Sequence, residues 1–257
     1  MSLAGGGPHR PPVPVRATVA EAYQHVARSL GALVFLAALP AALRFAAEIF
    51  VWAAFPAPLS PLTQITMLML TTLLMATFSV AWHRFTLLGE VNKQQVWQFV
   101  FERREALFFL YSLVLMVPIM LAALSARAAP EDGSLMPPIL MGLAVFVFLR
   151  LSMLLPAIAV DGDCDPRSAW ALTRGQFWRL FATMILVALP VELLALLILV
   201  LLSSDTTVVL LLARAIAIVL EFFITAIVVT ALSLIYRRLA GPPNQTVVNL
   251  PGGDTTA

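Results

Sequence analysis

Six charged residues stand inside apolar runs: Arg44, Glu48, Arg150, Glu192, Arg214 and Glu221. Each costs about 2.5–3.5 kcal/mol on insertion scales if it sits unpaired at the centre of a bilayer, so they are expected to face the interior of a helix bundle. They form a candidate intramembrane polar network, and two kinds of chemistry fit it. One is a path for a proton, an ion or a polar substrate; the other is a set of mutually paired charges that fix helix register in lipid. Three acids balance three bases, which leaves no obvious excess charge for a passing ion and favours the second. Arg44 and Glu48 are four residues apart and share a helix face, as do Arg214 and Glu221 at a spacing of seven, with Thr225 extending the second stripe. The first couple can pair within its own helix. Arg214 and Glu221 lie about 10 Å apart along a helix axis and need partners on other helices. Arg150 is ambiguous: if the Arg84 segment is its counterpart, with Arg84 followed by Leu87-Leu88 and Arg150 by Leu154-Leu155, it sits near the cytoplasmic interface and snorkels instead.

Other constellations are weaker. Asp161-Gly162-Asp163-Cys164-Asp165 places three carboxylates at alternate positions, like the start of a calcium loop. The sixth position is Pro166 where a glycine is needed and the twelfth is Leu172 where a bidentate glutamate is needed, so the segment reads instead as a capped polar turn entering a helix. The histidines, His9, His25 and His83, show no metal-ligand spacing, and G-x-S-x-G, Walker A and G-x-G-x-x-G patterns are all missing. His83, after Trp82, is expected to be an interfacial polar residue rather than a catalytic base. The expectation is a protein that is not an enzyme, with no catalytic, cofactor-binding or metal-binding residues and no cofactor. Cys164 is the only cysteine, which excludes an internal disulfide.

The elements that must carry these residues are transmembrane helices. Of 257 residues, 61% are hydrophobic and 12% charged, against roughly 45–50% and 25% in soluble domains. Mean hydropathy is +0.94. Apolar runs at 30–55, 62–81, 107–124, 135–160, 180–202 and 208–236 are each long enough to span a bilayer. Ser60-Pro61 and Pro137-Pro138 supply helix-start signals. Arg10, Arg16, Arg28, Arg84, Lys93, Arg103, Arg104, Arg167, Arg174, Arg179, Arg237 and Arg238 fall on one side of the alternating loops, facing only Arg127 on the other. The positive-inside rule then places both termini in the cytoplasm. Tyr23, Trp82, Trp97, Trp170, Trp178 and Tyr236 fall near the same boundary, where amphipathic rings are favoured, and Trp52 marks the opposite face. The basic residues are thus topology signals, and no nucleic-acid partner is expected. Met1–Arg28 is too long and too weakly basic for a signal-peptide n-region, so the first span is expected to remain uncleaved.

A pattern recurs along the chain. A semi-polar segment, an apolar span with a central proline, and a second span with arginine near its end appear three times, with the prolines at Pro40, Pro118 and Pro190. Val96-Trp97 and Ala169-Trp170 occupy like positions before the second and third copies, giving a three-fold parallel repeat. The semi-polar segments 17–28 and 166–178 are expected as amphipathic helices at the cytoplasmic surface, with Asp165-Pro166 starting the second and Gly89 and Gly175 offering breaks. From Ala240 onward, Gly241-Pro242-Pro243 and Pro251-Gly252-Gly253 predict a disordered tail, on which the sequon Asn244-Gln245-Thr246 is coincidental.

The stretch from Leu149 to Phe181 carries Arg150, Pro156, an acidic turn at Asp161, Ala169-Trp170, Thr173-Arg174-Gly175 and Phe177-Trp178-Arg179. It is similar to the core of the bacterial membrane domain found fused to some glycerophosphodiester phosphodiesterases and in free-standing YciC-like proteins. The resemblance implies a helical membrane domain of unassigned role, with no catalytic residues to carry over. It does not imply phosphodiesterase activity, which resides in a separate soluble barrel.

The expected molecule is all-α and polytopic, with six transmembrane helices and short cytoplasmic interfacial helices. Residues 1–28 form a cytoplasmic segment with an amphipathic helix, 29–238 the membrane domain, and 239–257 the tail. The expected location is the bacterial inner membrane, and the expected role structural, regulatory or assembly-related. A transporter or lipid-handling protein is the alternative. Membrane lipids and another membrane protein are the expected partners.

Overall fold

The computed structural model describes residues 12–55, 59–89, 101–128, 135–162, 164–202 and 206–241, and among them the backbone is all-α. In chain order the helices are α1 (Val15–Arg28), α2 (Leu30–Ala54), α3 (Pro61–Leu88), α4 (Arg103–Ala128), α5 (Met136–Leu151), α6 (Leu154–Ala159), α7 (Pro166–Leu172), α8 (Phe177–Leu201) and α9 (Thr207–Ala240). Six segments are long and apolar enough to cross a membrane, α5 and α6 together making the fourth. The chain is a multi-pass integral membrane protein. His9, Arg10, Lys93, Val96-Trp97, Asp163 and the tail beyond Gly241, with its sequon, lie outside the described residues.

Helix ends follow local chemistry. Ser60 caps α3 by accepting from the Thr63 amide at 3.1 Å, and Pro61 opens the first turn. Gly89, at φ +71°, ends α3 in the left-handed conformation that a side chain disfavours. Because Trp82-His83-Arg84 does not interrupt hydrogen bonding, α3 runs to Leu88, past the expected end at 81. Pro40, Pro118 and Pro190 lie within continuous α2, α4 and α8. Pro156 acts differently: the chain breaks between α5 and α6, where its ring opposes the Ser152 carbonyl four residues back and its nitrogen has no proton to donate. The Leu155 amide takes that carbonyl at 3.2 Å, and the Ser152 hydroxyl donates to Leu149 O at 2.9 Å.

α9 is the central helix and touches α1, α2, α3, α6 and α8, while α4 and α5 pair at the side. Its last half is the most enclosed part of the bundle, from Ala226 to Leu239. Thr18, Ala22 and Val26, spaced one helical turn apart, bury one face of α1 against α8 and α9. The Tyr23 hydroxyl donates to Val187 O at 2.8 Å, and Arg238 donates to both Glu21 oxygens at 2.7 Å and to the Thr18 hydroxyl.

Three expectations change here. The helix expected over 166–178 is α7, a turn at Thr173–Gln176, and then the start of α8; Gly175, at φ +74°, lies in that turn. Trp82 and His83, expected as polar groups at the boundary, are wholly buried in the protein, because α9 packs on α3 and His25 of α1 lies against its last turns. The Trp82 indole donates to the Thr230 hydroxyl at 2.9 Å, and His83 Nδ1 meets Ser233 Oγ at 2.7 Å. Tyr236 is likewise buried, so among the described residues Trp170 and Trp178 are the exposed rings of the expected belt, with Tyr23 half-buried.

Candidate functional site

The six intramembrane charges do not form one network. Arg44 on α2 lies 3.3 Å from Glu48 Oε1 through Nε, and its Nη1 lies 2.5 Å from Glu221 Oε1 on α9. The second contact is off the hydrogen-bonding axis and is an ion pair alone. One guanidinium therefore bridges two carboxylates and ties two helices at the depth where an isolated charge is most costly. The within-helix pair matches the four-residue spacing, and Glu221 finds its cation on another helix. Thr225 turns its hydroxyl back onto Glu221 O at 2.7 Å and joins no wider stripe.

Arg214 and Glu192 do not face the interior. Arg214 is exposed on the side of α9 and lines a cavity of about 390 Å³ with Phe45, Glu48, Trp52, Phe55 and Met67. Glu192 is exposed midway along α8, among exposed Leu189, Leu193 and Leu196. Neither makes a side-chain hydrogen bond or ion pair among the described residues. The cause is α8 itself: apolar on every side and mostly uncovered, it has no polar stripe to show which face would turn inward.

Arg150, ambiguous in the sequence between the bundle interior and a snorkelling position, is buried. Its Cζ lies 4.4 Å from the centroid of the Trp170 ring, a cation–π stack that joins α5 to α7. The Thr173 hydroxyl donates to Arg150 O at 3.0 Å and closes the same corner.

The acidic turn meets arginines from two helices. Asp161 Oδ2 lies 3.3 Å from Arg84 on α3 and 3.4 Å from Arg104 on α4, and Arg104 also meets Glu102 at 2.5 Å. Asp161 takes φ +55°, a left-handed residue that ends α6 and aims its carboxylate across the bundle. Gly162 follows because a Cβ there would stand 3.2 Å from both Ala157 O and the Tyr236 hydroxyl. Asp165 caps α7 by accepting from the Arg167 amide at 3.1 Å, as its place before proline implies. Among the described residues no group of three or more His, Cys, Asp or Glu side chains could hold a metal ion.

Sequence reading missed the Arg84–Asp161–Arg104 group and the Trp82–Thr230 and His83–Ser233 bonds. All join residues far apart in the chain, so no local spacing announces them. His83 and Ser233 are a histidine–hydroxyl pair, but both are fully buried. They tie α3 to α9. Among groups outside the spans, His25 on α1 is held below the ordinary histidine range by burial and by the nearby Arg237 charge, and burial raises the Tyr23 hydroxyl. Comparison with family models, curated proteins and solved structures found no match to this chain.

Proposed function

We propose that this chain is a bacterial inner-membrane protein of structural, regulatory or assembly role, not an enzyme, with both termini in the cytoplasm. We place it with the YciC-like membrane domains that residues 149–181 resemble. The observation that carries the reading is the dispersal of the intramembrane charges. Arg44, Glu48 and Glu221 satisfy one another between α2 and α9, Arg150 stacks on Trp170, and Glu192 turns outward. A conducting path needs such groups along one route, whereas fixing helix register needs only local pairing. Membrane lipids are the first partner class. Another membrane protein is the second, since an acid on the outward face of α8 is best satisfied by a polar group on a neighbouring helix.

Lipid handling or transport is the second reading, favoured by the cavity of about 390 Å³ that sets Glu48 and Arg214 within apolar walls. Glu221→Gln and Glu192→Gln separate the two. On the structural reading, Glu221→Gln lowers thermal stability in detergent by about 1 kcal/mol, because Arg44 keeps only Glu48, while Glu192→Gln leaves the isolated protein unchanged. Neither alters proton movement in proteoliposomes. A variant with wild-type melting behaviour and an altered flux or pH response would overturn that reading and promote transport.

A further inference from the structure

The corner where α5 meets α7 gathers three arginines, Arg150, Arg167 and Arg174, around one pocket, with Asp165 turned to cap α7 through the Arg167 amide. Arg150 is only 7% exposed, and its Nε has no hydrogen-bond partner. Together with Arg167, Arg174, Leu151 and Trp170 it lines a pocket of about 610 Å³, and none of the described residues lining that pocket is acidic. Arg174 stands close enough to Arg150 for their like charges to repel. A buried guanidinium with an unmet donor is costly, and converging arginines make it costlier. An anion in the pocket would reverse both terms.

We propose that Arg150, Arg167 and Arg174, with the Trp170 ring, form a binding site for the phosphate headgroup of an anionic phospholipid. The planar guanidinium donates paired N–H groups that match phosphate oxygens, and stacking on Trp170 holds the Arg150 plane in one orientation. The lipid source follows from what adjoins the pocket. Phe146 packs against Trp170 at 5.8 Å between ring centroids, Phe177 against Phe146 at 5.0 Å, and Trp178 against Phe177 at 5.0 Å. Trp178 is 74% exposed. This aromatic ledge belongs to α5 and α8, two segments that cross the membrane, so it leads from the arginines onto their apolar faces. Basic pockets between helices beside interfacial aromatics suit a group with a phosphate at one end and acyl chains at the other.

The test uses the full chain in neutral detergent micelles doped with phosphatidylglycerol or phosphatidylcholine, with the apparent Kd of the first bound lipid read by native mass spectrometry. Phosphatidylglycerol binds more tightly than phosphatidylcholine. Arg167→Gln with Arg174→Gln, both at exposed positions that leave the fold intact, weakens phosphatidylglycerol by about fivefold per arginine and roughly thirtyfold together. Arg28→Gln with Arg103→Gln, exposed arginines outside the pocket, leaves the affinity unchanged. Equal binding of the two lipids, or equal weakening by the two double variants, overturns the site. Inorganic phosphate that occupies the wild type as tightly as phosphatidylglycerol, and is lost in Arg167→Gln with Arg174→Gln, overturns the lipid as its source.

Discussion

Two regions of this protein place arginine beneath a protein surface in opposite ways. Between α2 and α9, Arg44 meets two carboxylates, so every member of the group has an opposite charge in contact. At the junction of α5 and α7, Arg150 meets an aromatic face and two further arginines, with an Nε left unpaired. The first arrangement balances its charge between two helices. The second has no acid among the described residues that line its pocket. The difference lies in what each arginine is given to face, a pair of carboxylates in one case and a ring with like charges in the other.

The sharpest way to break this comparison is Arg44→Gln. It leaves Glu48 and Glu221 without the cation they share, and two acids in one apolar setting must then take up a proton or admit water. The expected cost is about 3 kcal/mol, read as a lower melting temperature and a lower folded yield in detergent. Salt does little to it, because a group within the span is poorly screened. Unchanged melting would mean that the Arg44 contacts carry no stability and that the two regions do not differ as described.

The spans were legible because each helix buries its own backbone polar groups and needs only sustained apolar length. The starts at Ser60-Pro61 and Asp165-Pro166 were legible too, since a cap acts within a few residues. The Arg44–Glu48 pair followed from its four-residue spacing. What the sequence withheld depends on which helix lies beside which: Glu221 on Arg44, Asp161 on Arg84 and Arg104, Trp82 on Thr230. Facing was withheld as well. Glu192 was expected inside because an acid in lipid is costly, yet α8 is apolar all round and places it outward. Arg150 stayed ambiguous because the packing of α7 against α5, which buries it under Trp170, is a tertiary event that no local spacing announces.

Asp161→Asn gives a smaller effect that sharpens the comparison from the arginine-rich end. The carboxylate holds Arg84 and Arg104 from two helices, but its side chain is 64% exposed, so water and ions compete for it. Such contacts are worth about 0–1 kcal/mol each. The expected loss is about 1 kcal/mol at low ionic strength, shrinking as salt is raised from roughly 0.01 M to 1 M, where the screening length falls from about 30 Å to 3 Å. Thermal melts of wild type and variant across that range should converge. A salt-independent gap would mean that Asp161 acts as Arg44 does, through a group sealed from solvent.

The smallest expected effect concerns pH at the same end. His25 on α1 stands against Trp82 and Phe85, at ring-centroid distances of 6.1 and 5.5 Å, with its Nε2 3.4 Å from the Thr86 hydroxyl. Burial and Arg237 lower its pKa in the folded protein below the ordinary value near 6.5. The unfolded chain therefore takes up the proton first as pH falls. Stability from this residue is fully present above about pH 6.5 and is lost progressively as pH drops through the folded pKa below it. Melting temperature should fall between about pH 7 and 5, and His25→Asn, which keeps a polar group near Thr86 but cannot titrate, should flatten part of that slope. An identical slope in the variant would assign the acid sensitivity elsewhere. A slope of opposite sign would mean that the imidazolium is welcomed at this position and that α1 carries an acceptor for it.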